Sequence, residues 1–321
     1  MLEYFVSPKK VFNRMGFAQI VMTLASGVAG LVLLTPFRNQ ELVKELFLKY
    51  GASPLFLLMY LPNVIGAVVF WLCVRNMPRW KGEEEHFGFW NIIQVFTMMY
   101  FVSLILNTIG LEVSEAAPAG GSQQLNLIGD LVTSGTLAGL LIPTVIGPLI
   151  EEIVFRKLMI DRTRIFGEKT AIVFSAICFG LFHGNLTQCL FAFSVGLFLG
   201  YVYCRTGKMW ITYIMHALLN GLSSAILLVL PLIQGDAPKD SALILLAGLA
   251  LLVAVLMIAG LINLIRWILK KRFFCPETPR EIPSGSVFST VYLNLGVILL
   301  FVLSIGGIVI ELMDIKIKLP F

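Results

Sequence analysis

The stretch ALILLAGLALLVAVLMIAGLINLIRW (Ala242–Trp267) carries a single charge, Arg266, one residue from its end. An α-helix rises about 1.5 Å per residue, so roughly 20 apolar residues cross the hydrocarbon of a bilayer. This run exceeds that length and reads as a membrane helix. The whole chain has the same character. Of its 321 residues 58% are hydrophobic and 13% are charged, and the mean hydropathy is +0.88. Soluble domains are about 45–50% apolar and about 25% charged. The fold class is therefore all-α, a polytopic integral membrane helical bundle of eight or nine transmembrane helices.

Nine candidate spans stand out: Gly16–Thr35, Pro54–Val74, Phe89–Leu111, Leu131–Met159, Thr170–His183, Leu186–Cys204, Met209–Leu232, Ala242–Trp267 and Val287–Ile310. Pro143 and Pro148 interrupt the fourth, and proline removes an N–H and bends a helix. The fifth is short and is joined to the sixth by Gly184–Asn185. No internal repeat or separate soluble segment is evident, so residues 1–321 read as a single integral membrane domain. The N-terminal MLEYFVSPKKVFNRMG lacks the pattern of a cleavable signal peptide.

Charge placement sets an expected orientation. If the N-terminus is cytoplasmic and the spans alternate, 18 of the 24 Lys and Arg lie inside, at Lys9–Arg14, Arg75–Lys81, Arg156–Lys169, Arg205–Lys208 and Arg266–Arg280. The outside segments hold the other six: Arg38, Lys44, Lys49, Lys239, Lys316 and Lys318. This is the positive-inside bias. It accounts for the net charge of +5 without a nucleic-acid partner. The inside loop Arg266–Ser286 reads as a basic anchor against anionic lipid, or as a docking surface. The loop Glu112–Gln124 reads as a flexible outside linker, and His86 as solvated surface. The five cysteines form no CxxC pair, which argues against a disulfide framework or thiolate metal site. Gly196–Gly200 (GLFLG) reads as close helix packing. Asn185 in NLT sits in a turn, where the glycosylation pattern is coincidental. Trp71, Trp80, Trp90, Trp210 and Trp267 near span ends read as interfacial anchors.

Against this background VIGPLIEEIVFRKLMIDR (Val145–Arg162) poses the functional question, because a carboxylate at the bilayer centre costs about 2.5–3.5 kcal/mol on insertion scales. Glu152 and Arg156 are four residues apart and can pair along a helix. Glu151 has no local cation. Adjacent helical residues point about 100° apart, from 3.6 residues per turn, so Glu151 and Glu152 are expected not to share a target. His183 ends the fifth span. His216 and Asn220 are i and i+4 on the seventh and share a face. Counted at about 1.5 Å per residue from the nearest inside charges, these groups lie at roughly 12–21 Å depth. Two readings stay open from the residues alone: interhelical polar glue, and a proton-handling or hydrolytic site in which Glu151 is a general base.

EEIVFR (Glu151–Arg156), FGLFH (Phe179–His183) and HALLN (His216–Asn220) resemble, in order and spacing, the EExxxR, FxxxH and HxxxN motifs of the CPBP family. That family comprises the CAAX-type prenyl endopeptidases and the bacteriocin-processing and self-immunity (Abi) proteins. The motif core is about residues 148–222. The resemblance implies intramembrane peptide-bond hydrolysis: Glu151 with His183 activating water, His216 and Asn220 stabilising the oxyanion, and Glu152, Arg156 and Phe179 in support. A metal-free mechanism with no cofactor is one form of this chemistry. Zn²⁺ held by Glu151, His183 and His216 is the other, although no HExxH is present. The substrate would be a peptide or lipidated protein reached from the bilayer, with the site opening toward the cytoplasm. A non-hydrolytic immunity or scaffold protein is the alternative class. A proton-coupled transporter fits less well, because no second half repeats the site.

Overall fold

The computed structural model describes residues 6–35, 53–80, 87–118, 141–233 and 240–313. Helices α1 (Pro8–Leu34), α2 (Ser53–Val74) and α3 (Phe89–Ala116) lead into α4. Helix α4 is a composite: a π-wound turn Ile142–Ile146, an α-helical piece Gly147–Glu152, a second π-wound piece Ile153–Ile160 and a short turn Asp161–Thr163. Then come α5 (Glu168–Phe182), α6 (Leu186–Thr206), α7 (Met209–Ile233), α8 (Asp240–Leu269) and α9 (Leu295–Leu312). Six described helices are long and apolar enough to cross a membrane, and Tyr60–Val74 adds a shorter apolar stretch. The start of the fourth expected span, 131–140, lies outside the described residues, as do His86 and the end of the Glu112–Gln124 loop.

Helix α6 is the hub. It packs on α3, α5, α7 and α4, and 61% of its apolar window is buried, against 6% for α8. That difference sets α6 at the centre and leaves α8 largely facing outward. The GLFLG pair explains how α5 approaches. A Cβ at Gly196 would lie 2.8 Å from the Ala176 Cα, whereas one at Gly200 would first meet the Ile172 Cγ2 at 3.3 Å. Backbone cannot yield as a side-chain tip can. Gly196→Ala is therefore expected to lower the melting temperature of the detergent-solubilised protein clearly more than Gly200→Ala. Overpacking of this kind costs about 1–3 kcal/mol. Equal shifts would contradict the packing.

The segments expected inside meet at one end of the bundle. Arg14 donates to the Cys73 carbonyl, Arg162 to that of Val74 and Arg164 to that of Cys204. The Trp80 N–H bonds the Asp161 carbonyl. The inside loop docks on this same end: Ile282 N–H bonds the Phe166 carbonyl and Thr278 Oγ1 bonds that of Ile165. At the opposite end Ser114 of α3 meets Thr187 of α6 through their hydroxyls, 3.2 Å apart.

Three expectations change. Helix α1 starts at Pro8 rather than Gly16, because Val11, Phe12 and Met15 are buried core residues that extend the helix beyond the apolar run. Helix α3 continues through Ala116, so Glu112–Ala116 is helix and not linker. Its last turns are held by Ser114 and by Gly110, whose missing Cβ leaves room for the Thr187 Cα. Trp267 is 3% exposed, and its indole N–H donates to Gln94 at 2.7 Å. It is an interior residue, while Trp71, Trp90 and Trp210 are exposed as anchors would be.

Candidate active site

The site is built on the irregular part of α4. In the π-wound turn Ile142–Ile146 a carbonyl looks five residues ahead for its N–H. For Pro143 that partner is Pro148, which has none. Asn220 of α7 supplies the donor, with Nδ2 3.0 Å from the Pro143 carbonyl. Further along, Ser175 of α5 donates to the Phe155 carbonyl at 2.9 Å. Side chains from α7 and α5 thus fill carbonyls of the distorted helix, which fixes α4 against both.

Glu152 is fully buried. Its Oε2 takes the Arg156 Nε at 3.2 Å, as the i, i+4 spacing implied. Arg156, also fully buried, sets its guanidinium 5.2 Å over the Phe179 ring and reaches Ser175 Oγ at 3.5 Å. The other oxygen, Oε1, meets His216 Nδ1 at 3.2 Å, and Thr212, one turn before His216, lies against the same carboxylate. With Nδ1 held, the imidazole turns Nε2 toward Glu151 Oε2, 3.5 Å away.

This corrects one expectation. Glu151 and Glu152 do share a target, because His216 presents a nitrogen on each side of its ring and the two carboxylates approach it from different directions. They differ in access: the Glu151 side chain is 19% exposed and that of Glu152 not at all. Arg156 offsets one of the two negative charges. A protonated His216 would offset the other.

His183 caps the C-terminus of α5. Its Nδ1 is 2.9 Å from the Phe179 carbonyl, which leaves Nε2 for another partner. The Phe179 ring stands edge-on to both imidazoles, with centroids 5.0 Å from His183 and 5.7 Å from His216. Among the described residues no hydrogen bond or ion pair links His183 to Glu151. They belong to one constellation through Phe179 and His216, not through direct contact. Asn185 is the residue whose role the NLT reading missed. It is buried; its Oδ1 caps α6 by accepting from Gln188 N–H at 2.9 Å, and its Nδ2 donates to the His183 carbonyl at 3.3 Å. A Gly–Asn step before an apolar run is an N-cap signal, and the positive φ of Gly184, +73°, makes the turn that brings Asn185 back onto His183.

Among the described residues no group of three or more His, Cys, Asp and Glu side chains is arranged to hold a metal ion. Glu151, His183 and His216 as they stand do not make a ligand set.

Residues 133–222 match the type II CAAX prenyl endopeptidase Rce1-like family. The matched segment holds the Glu pair, both imidazoles and Asn220, and it lies in a chain with several helices apolar and long enough to cross a membrane. Over 168 residues the chain is 30% identical to the protein of Bacillus subtilis (strain 168) named "Putative membrane peptidase YdiL". That alignment covers 48% of this chain and 64% of the relative, so the chain spans less than two thirds of the relative's length. No solved structure matches.

Proposed function

We propose that the chain is an intramembrane endopeptidase that hydrolyses a peptide bond in a membrane-associated or lipidated peptide by metal-free Glu/His chemistry. The observation that carries this reading is the His216 ring, tied by Nδ1 to the buried Glu152 and facing the accessible Glu151 with Nε2. A purely structural pair would need one carboxylate. The second is partly exposed and, among the described residues, has no Lys or Arg partner.

In this mechanism Glu151 accepts a proton from a water molecule, with His183 Nε2 as second acceptor to that water. The water oxygen bonds to the scissile carbonyl carbon, and the C=O electron pair moves to oxygen. The oxyanion is met by Nε2–H of a protonated His216 and by the Asn220 N–H that Pro143 does not use. Donors of this kind stabilise developing charge. The intermediate collapses as the C–N bond breaks. The proton held by Glu151 goes to the leaving nitrogen, giving a carboxylic acid and an amine. Glu152 and Arg156 hold His216 in position and act only through it.

The test is comparative peptide profiling of membranes from cells carrying wild-type protein or Glu151→Ala. Peptides cut only with the wild type support the reading. Identical profiles, with both proteins present at equal level, count for the immunity or scaffold alternative. Stoichiometric zinc in active purified protein, with activity lost on chelation and restored by zinc, would replace the metal-free route.

The same reading takes the N-terminus and the basic end of the bundle as cytoplasmic. Lys270 and Asp240, both exposed, stand at opposite ends of α8. In intact cells Asp240→Cys is expected to react with a membrane-impermeant maleimide and Lys270→Cys only after permeabilisation. The reverse pattern inverts the topology.

A further inference from the structure

A small cavity lies at the basic end of the bundle, apart from the Glu/His constellation. It has a volume of about 30 Å³ and is walled by the start of α1, the segment after α2 and the end of α4. Among the described residues its charged lining is Arg79, Arg162 and Arg280, with no carboxylate. A water needs about 10–15 Å³ by this measure, so the space suits one small oxyanion or a pair of waters.

Arg162 is the informative wall. It is 2% exposed. Its Nε donates to the Val74 carbonyl and its Nη1 to that of Leu158, each at 2.9 Å. The third arm of the fork, Nη2, is buried and has no hydrogen-bond partner among the described residues. A buried donor left unmade is costly, and more so on a charged group. Its acidic neighbour is Asp161, already engaged by Tyr203 at 2.7 Å and Lys157 at 3.0 Å. Burial and then the nearby Arg79 charge bring Arg162 down to about 10, with Asp161 opposing and Arg14 adding to the decrease. It is still cationic at neutral pH. Arg280 closes the other side, its guanidinium 5.3 Å over the Phe166 ring and its Nη2 3.1 Å from the Val6 carbonyl. Three arginines line one space, and one of them has a buried N–H with no partner among the described residues. Arginine forks match phosphate oxygens.

We propose that this cavity is a binding site for a phosphate oxyanion, with Arg162 and Arg79 as its principal donors. The phosphate belongs either to the headgroup of an anionic phospholipid or to a free phosphate ion. The position at the membrane-facing basic end is where headgroup phosphates are found. Occupancy would pair Arg162 Nη2 and relieve the repulsion between Arg79 and Arg162, tying α1, α2 and α4 together. The site does not depend on the chain being a peptidase.

The experiment measures melting of the full-length purified chain. One arm compares nanodiscs of phosphatidylcholine with nanodiscs containing phosphatidylglycerol. The other titrates inorganic phosphate into the phosphatidylcholine sample against chloride at equal ionic strength. Each arm is run on wild type, Arg162→Lys and Arg79→Gln. Arg79 is exposed, so its variant keeps the test open should the Arg162 variant fold poorly. A saturable rise in Tm in wild type, lost in Arg79→Gln, supports the site. A rise with phosphatidylglycerol alone assigns the phosphate to lipid, and a rise with inorganic phosphate assigns it to the free ion. No rise in either arm, a rise matched by chloride, or a rise unchanged in Arg79→Gln overturns the proposal.

Discussion

Glu151→Gln is expected to lower peptide hydrolysis by at least about a thousandfold, within the 10²–10⁴ range of general acid–base catalysis, while leaving the melting temperature close to that of wild type. Glutamine keeps the length of the side chain and can still lie against His216. It cannot take the proton of water. The side chain is 19% exposed, and His216, at 3.5 Å, is its ion-pair partner among the described residues. Little packing is therefore at stake. The measurement is a pair: a cleavage assay on purified protein with a peptide recovered by the membrane profiling, and a melting curve on the same preparation. His183→Ala and His216→Ala should also lose cleavage, but His216→Ala should lose stability too, because it strips a partner from the buried Glu152. Cleavage within tenfold of wild type in Glu151→Gln would sink the assignment of Glu151 as the base.

How much of this could be read from the chain alone depends on what kind of physics sets each feature. Membrane helices are legible because insertion depends on summed apolarity over about 20 residues, and where the chain is described the runs coincide with helices, except that the ninth is broken at Leu293–Asn294, where Asn294 caps the start of α9. Edges are less legible. Helix α1 extends to Pro8 because Phe12 and Met15 find core partners, and α3 extends to Ala116 because Ser114 meets Thr187. The second is a tertiary effect with no local sign, whereas the first also carries one, Ser7 at the N-cap with Pro8 at the first helical position. The Glu152–Arg156 pair was legible from i, i+4 spacing. The sandwich of His216 between two carboxylates was not. The ideal 100° argument treats the target as a point, whereas an imidazole has two separated nitrogens, and Glu152 sits where α4 passes into its π-wound piece. Nor could spacing show that Asn220 fills a carbonyl left open by Pro148, although both prolines pointed to a distortion at that place.

Breaking the Glu152–Arg156 pair from one side is expected to give the largest loss of stability in the molecule. Both side chains are fully buried and joined at 3.2 Å. Removing one partner of a buried pair costs about 3–5 kcal/mol, because the other charge is left uncompensated in a medium that solvates it poorly. Arg156→Ala should be the worse of the two single changes. It leaves Glu152 charged beside Glu151, and it withdraws the guanidinium from the Phe179 ring and Ser175. Glu152→Ala leaves Arg156 with Ser175 and the Phe179 face, but frees the His216 ring to rotate. The double change Glu152→Leu with Arg156→Met removes both charges, keeps most of the volume and leaves His216 Nδ1 without its acceptor. It should melt well above Arg156→Ala, since replacing a buried pair by groups of similar size is often near neutral. Activity separates the structural from the positioning role. If Glu152 acts only through the fold, the double variant regains cleavage along with stability. If it holds Nδ1 of His216 so that Nε2 faces the oxyanion, stability returns and cleavage stays low. The proposed mechanism requires the second result, and recovery of both would remove Glu152 from it.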